Sequence, residues 1–173
     1  MTTENNEKCP SLGVVEFLPD TTFRAVIENA PLVSIDLVVR NATGMVLLGR
    51  RINRPAQGSW FVPGGRVRKN EYLSQAFSRL AKEELGITCK IEDAVYLGLY
   101  EHFYQDSIYT KGSVEVSTHY IVNCFEVRLD FLNKSFPIDQ HNQYSWFSES
   151  ELLVSPDVHM HTKWYFERDR GFK

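Results

Sequence analysis

The stretch Gly64–Ile87, GGRVRKNEYLSQAFSRLAKEELGI, constrains this chain more than any other. Pro63-Gly64-Gly65 reads as turn chemistry, where glycine lets backbone approach a ligand closely. Asn70 is a natural N-cap for a helix from Glu71, and Gly86 stands where a helix ends in a left-handed residue. Leu73, Phe77 and Leu80 recur at helical spacing with Ala76 beside them, so one face of this helix packs on a core. Glu84 continues that face, four residues after Leu80. Glu83 and Glu84 therefore lie in the last turn, where the helix macrodipole disfavours anions. A carboxylate that extends an apolar stripe wants a cation, so the helix end reads as a metal site. Taken without their surroundings, the same two glutamates are equally a solvated helix end.

Elements on both sides complete a pattern. Asp20 caps a short helix through Asn29 that presents Phe23, Val26 and Ile27, and Ala30-Pro31 breaks it. LVSIDLVVR (32–40) is rich in β-branched residues and predicts a buried strand interrupted by one carboxylate, Asp36. A hairpin turn over Asn41–Gly44 leads into MVLLGRR (45–51), and WFVP (60–63) is a short strand feeding Gly64. Beyond the helix, 87–104 is strand-like with a break at Glu92-Asp93, 105–113 is a polar loop and 114–129 is a long strand. PIDQHNQY (137–144) reads as a polar loop before the strand SWF. Ser148-x-x-Glu151 is a capping box, and Ser155-Pro156 opens a last helix through Arg168. Strands around two principal helices predict an α/β or α+β sandwich, a mixed sheet between helices.

With 173 residues, 43% of them hydrophobic, the chain supports one domain over 14–173, preceded by a flexible polar leader, 1–13. A net charge of −3 with acids and bases interspersed offers no stripe for nucleic acid. The absence of a long apolar run and of a signal-like start argues against a membrane. Cys9, Cys89 and Cys124 lack pair or knuckle spacing and suit a reducing cytoplasm.

Gly65, Glu71, Arg79, Glu83, Glu84, Gly86 and Ile87 fall at the spacing G-x5-E-x7-R-E-U-x-E-E-x-G-U, where U is aliphatic. Seven fixed positions over twenty-three residues make a specific signal, and the stretch resembles the Nudix box. Two positions depart from it: Leu80 replaces the first glutamate, and Ala81 is small where an aliphatic residue is usual. That departure is itself a resemblance. With APLVSIDLVV, LGRRINRPAQGSWFVPGGRV, EHFY, THYIV, DQHNQYSW and DVH in order, the chain is similar over residues 20–166 to the GDP-mannose mannosyl hydrolases of the Nudix superfamily.

The resemblance implies an α/β/α Nudix sandwich that acts as a homodimer on a small molecule. Its reaction would be Mg²⁺-dependent hydrolysis of GDP-mannose or GDP-glucose, with Mn²⁺ as the alternative ion. Water would attack the anomeric carbon with inversion, and GDP would leave. Carried over by position, His141 is the general base, a histidine whose ordinary pKa is near neutral. Glu84, Gln140 and the backbone carbonyl of Gly64 would hold the metal, with Glu83 as a further candidate. Arg51 and Arg66 match residues near the leaving diphosphate, where planar guanidinium donors pair with phosphate oxygens, and Tyr120 joins them among the catalytic residues. His102 and Tyr120 line the site, and Asp36 lies near the sugar.

Plainer readings stand beside these. A histidine in a polar loop is usually a surface residue, Asp36 a satisfied strand carboxylate and Tyr120 a core aromatic. Arg79 pairs with Glu83 four residues on, and Glu71 supports the positive end of the helix. His159 and His161, two apart on one helix, face different ways and are not ligands; Trp60 and Trp146 belong to the core. Two other functions remain open at this point: a conventional Nudix pyrophosphohydrolase attacking phosphorus, and a Nudix module that binds a nucleotide sugar without turnover.

Overall fold

A computed structural model describes residues 13, 17–129, 136–137, 141–167 and 169–172. The elements run α1 (Asp20–Asn29), β1 (Leu32–Asn41), β2 (Val46–Arg51), β3 (Trp60–Phe61), β4 (Gly64–Arg66), α2 (Leu73–Leu85), β5 (Val95–Tyr104), β6 (Thr118–Leu129), β7 (His141–Phe147), α3 (Glu149–Val154) and α4 (Met160–Trp164). A 3₁₀ turn, Ile91–Asp93, precedes β5 at the expected break. Of the leader, only Gly13 lies among the described residues, and Gln140 lies outside them.

β1 is nearly all buried because β2, β4 and β6 pair with it and a core lies on each of its faces. It runs parallel to β6 from Leu32–Tyr120 to Asn41–Leu129, and antiparallel to β4 through Ser34–Asp36. The sheet order is β3-β2-β1-β6-β5, with β4 on β1 and β7 on β2. Strand alternation then divides the core. Ile35, Leu37 and Val39 pack with Leu47, Phe77, Leu80 and Leu85 under α2. Val38 packs with Leu48, Phe61, Val122, Leu152 and Tyr165 on the face that carries α3 and α4. A strand covered on both faces reads as a continuous apolar run, and a mixed sheet between helices is the architecture expected. Ser34 and Asp36 share the parity of Val38 and so stand on the α4 side. Among the described residues no helix is long and apolar enough to cross a membrane.

Several element ends differ from expectation, each for a tertiary reason. α2 starts at Leu73, not Glu71: Asn70 has φ +65° and its amide donates to the Gly13 carbonyl at 3.0 Å. Gly86 ends the helix as anticipated, left-handed at φ +64°. The N-cap of α1 is Pro19, with Asp20 inside the first turn. The expected last helix shrinks to α4, because Trp60 draws the preceding segment alongside β3. Trp60 N donates to Asp157 O at 2.9 Å and His159 N donates to Trp60 O at 3.1 Å. Ser155-Pro156 therefore stays outside the helix and His159 becomes its N-cap. The 137–144 loop is also shorter than read, since β7 begins at His141 in register with Arg51. The capping box at Ser148 and Glu151 forms as expected.

Candidate active site

Gly64 and Gly65 do not turn the chain; they are the first residues of β4. Their glycine character answers close packing. A Cβ on Gly64 would lie 2.5 Å from Ile35 O and 2.6 Å from Asp36 Oδ1, and one on Gly65 would lie 2.7 Å from Leu80 Cδ2. β4 can thus press onto β1 beside Asp36 while Leu80 supports it from α2.

Above β4, on the α4 side, lies a cavity of about 190 Å³ lined by Asp36, Arg51, Gly64, Arg66, His102 and Tyr120 among others. Six residues expected at the site are thereby brought together. Arg51 donates from Nε to Pro55 O at 2.9 Å and sits over the Phe61 ring. The Arg66 guanidinium lies 4.1 Å from the Phe23 ring centre; burial, with Arg68 and Arg79 nearby, lowers its pKa. Two planar guanidinium groups and the Asp36 carboxylate thus line one cavity, and such guanidinium donors match phosphate oxygens in pairs. Asp36 is buried, and burial raises its pKa to about 6 against the opposing pull of Tyr165 and Arg51. Burial also brings the His102 ring down to about 2, with His161 and His159 adding to the effect, so it is neutral.

Glu84 and His141 stand elsewhere, on the α2 side. Glu84 is buried at the end of α2, and its Oε2 is 3.7 Å from His141 Nδ1. The Tyr144 hydroxyl lies 3.3 Å from that same Nδ1 and donates to the Glu84 backbone carbonyl at 3.3 Å. A β-bulge aims His141 there. Gly49 pairs with Tyr144 and Arg51 with His141, so β7 spends three residues where β2 spends two. His141 and Tyr144 consequently share a face, and the His141 ring lies over Gly49, where a Cβ would come within 2.4 Å of Cγ. The near-neutral pKa expected for His141 does not hold: burial, then the Arg51 charge, lowers it to about 4. Its Nε2 is buried with no hydrogen-bond partner among the described residues. Arg51, at the end of β2, acts on Asp36, Tyr120 and His141 alike, and links the two faces.

Among the described residues no three His, Cys, Asp or Glu side chains cluster for a metal. Of the donors expected for a metal, Glu84 is a buried carboxylate at the end of α2 and Gly64 lines the cavity. A carboxylate and a carbonyl are hard oxygens, the donor type that suits a Mg²⁺-type ion keeping much of its water. Glu83 turns outward instead, accepting from Arg79 Nη1 at 2.8 Å and meeting Arg68 Nη2 at 3.4 Å. Arg79 also binds both oxygens of Glu71, at 2.6 and 2.8 Å, and donates to Arg66 O at 3.0 Å. Glu71 lies before the helix, not in its first turn, and clamps the loop to α2.

Sequence reasoning missed Tyr165, whose hydroxyl donates to Asp36 Oδ2 at 2.5 Å and meets His102 Nε2 at 3.2 Å. A buried strand carboxylate needs a donor, which was the available signal, but nothing local says which residue supplies it. His159 and His161 do not diverge as their spacing on one helix predicts. With His159 outside the helix, their rings lie 4.8 Å apart, and His161 stacks on His102 at 4.2 Å. Trp60 and Trp146 join the two cores as expected.

A family model described as the NUDIX domain matches residues 30–168. Over 143 residues the chain is 48% identical to the low-salt glycan biosynthesis protein Agl8 of Haloferax volcanii, covering 82% of this chain and 86% of that protein. Its fold is similar to that of the MutT protein from Methanosarcina mazei Go1, with a TM-score of 0.61, 24% identity and coverage of 81% and 94%. It is also similar to the NUDIX domain of Shewanella oneidensis NrtR, solved with ADP ribose, with a TM-score of 0.59, 18% identity and coverage of 86% and 97%. A domain match across most of the chain, around the box positions already placed on β4 and α2, settles the family: the chain belongs to the Nudix hydrolases.

Proposed function

We propose that this chain hydrolyses a GDP-hexose, GDP-mannose or GDP-glucose, by attack of water at the anomeric carbon. Hydrolysis of a nucleotide-linked compound goes with the family. The finer reading is carried by one observation: α2 buries a single box carboxylate, Glu84, against a neutral buried histidine, while Leu80 fills the core one turn earlier. The base then lies outside the box. His141 accepts the water proton as the new C–O bond forms, the bond from carbon to the diphosphate oxygen breaks, and GDP departs with inversion. Arg51 and Arg66 receive the charge on the diphosphate, with Tyr120 beside them. Glu84, the Gly64 carbonyl and Gln140 would hold Mg²⁺, or Mn²⁺, which supplies further positive charge to the leaving group. A 48%-identical relative named for glycan biosynthesis favours a sugar-bearing substrate. The same reading makes the protein a homodimer in solution.

Hydrolysis in ¹⁸O-water with Mg²⁺ and a panel of GDP-, ADP- and UDP-sugars tests the proposal. Label in the free sugar is the expected result; label in a phosphate product overturns carbon attack in favour of attack at phosphorus. Glu84→Gln serves as the inactive control, and a wild type no more active than this variant on the whole panel overturns the enzymatic reading.

A further inference from the structure

Tyr165 has no part in the reaction proposed above, yet it ties two cavity-lining groups together. It follows α4, is 8% exposed, and its ring stands edge-on to Tyr100 at 4.8 Å and 88°. A tyrosine hydroxyl owns one hydrogen. The 2.5 Å contact with Asp36 Oδ2 uses it, because an ionised carboxylate only accepts. The 3.2 Å contact with His102 Nε2 must then run the other way, from Nε2–H to the tyrosine oxygen. A neutral imidazole carries a single N–H, so His102 Nδ1 keeps its lone pair. The ring is held in this orientation by His161, stacked on it at 4.2 Å with planes 8° apart. The same stacking disposes of a metal site at these histidines: parallel rings cannot direct their nitrogens at one ion.

We propose that Tyr165 is a positioning residue which, through one hydroxyl, sets both Asp36 and His102 Nδ1 as hydrogen-bond acceptors in a cavity whose cations are Arg51 and Arg66. A matching ligand joins hydroxyl donors to an anion, as a sugar carried on a phosphate does. The cavity, about 190 Å³, is smaller than the roughly 300–1,000 Å³ of sites that hold a whole drug-sized ligand, so it takes one part of such a molecule. Its polarity selects that part. A sugar presenting acceptors where hydroxyls should be meets lone pairs and is rejected.

The choice of sugar phosphate rests on the reading under Proposed function; the tautomer does not, and the test separates them. Two-bond ¹H–¹⁵N correlation of histidine-labelled protein should show His102 as the Nε2–H tautomer in the wild type and a mixture in Tyr165→Phe, which retains the ring against Tyr100. The same variant should lose on the order of 10-fold in kcat/KM for GDP-mannose, the worth of one hydrogen bond to a charged group, with the Kd for GDP alone unchanged. An unaltered tautomer overturns the proposal, as does an altered tautomer with unaltered kcat/KM. Equal losses for GDP and GDP-mannose would make Tyr165 merely structural and also overturn it. Should the wild type turn over no GDP-sugar, the function reading fails, and the tautomer still decides the role of Tyr165.

Discussion

Leu80 and His141 are the two residues on which the proposed reaction turns. Leu80 is 2% exposed and packs with Phe77 and Ile35, its Cδ2 under Gly65. Truncation to alanine opens a cavity in a face with little freedom to collapse. Leu80→Ala should therefore cost about 2–5 kcal/mol, read by denaturant titration. His141 has the opposite profile, fully buried yet with Nε2 lacking a partner among the described residues. His141→Ala should leave the sheet folded and lower turnover on GDP-mannose by a factor on the order of 10²–10⁴. A near-normal turnover number at saturating substrate would remove it from the base role.

At the level of elements, α2 is held to its own entry loop by charge as well as by its apolar face. Arg79 is 17% exposed and its partner Glu71 only 4%, and the pair also fixes the Arg66 carbonyl just before the cavity. Removing the guanidinium takes two of the three hydrogen bonds that Glu71 accepts among the described residues and leaves the one from Arg68 N. Arg79→Ala should destabilise by roughly 2–3 kcal/mol, the scale of hydrogen bonds to a charged group, and raise KM through Arg66; thermal unfolding and steady-state kinetics read the two effects. α4 shows what element-level reasoning from sequence leaves out. The Ser155-Pro156 signal for a helix start was sound chemistry, but the backbone of Trp60 competes for Asp157 and His159 and wins.

Across the whole molecule, the fold and the box were legible because their signals are local: β-branched density in β1, helical spacing in α2, the left-handed Gly86. What escaped depends on residues far apart in the chain, such as Tyr165 and Asp36, 129 positions from each other. The division of site residues between the two faces escaped as well, since it follows from parity along β1 and a register shift in β7. Acidity should act on the assembled fold as a unit. His102, His161 and His159 are held at about 2, 3 and 4, chiefly by burial, against about 6.5 when unfolded. Lowered histidine pKa values mean that the unfolded chain binds more protons, so this stability is complete above about pH 6.5 and is lost as pH falls toward 4. Asp36, raised to about 6, acts in the opposite sense: its share is present at low pH and lost as pH rises through 6. With His141, lowered to about 4 in the same way, four groups against one predict a lower Tm at about pH 5 than at about pH 7.5, by calorimetry. The bulge that aims His141 has a consequence of another kind. Asn142 and Gln143 lie exposed between His141 and Tyr144, so deleting one of them restores plain alternation without removing a buried side chain. With one residue fewer, β7 spends two residues where β2 spends two, so His141 and Tyr144 stay on one face, and the shortened chain should still fold with its imidazole beside Glu84. The extra residue is slack in the strand, which a lineage of such proteins could lose while keeping imidazole and carboxylate together.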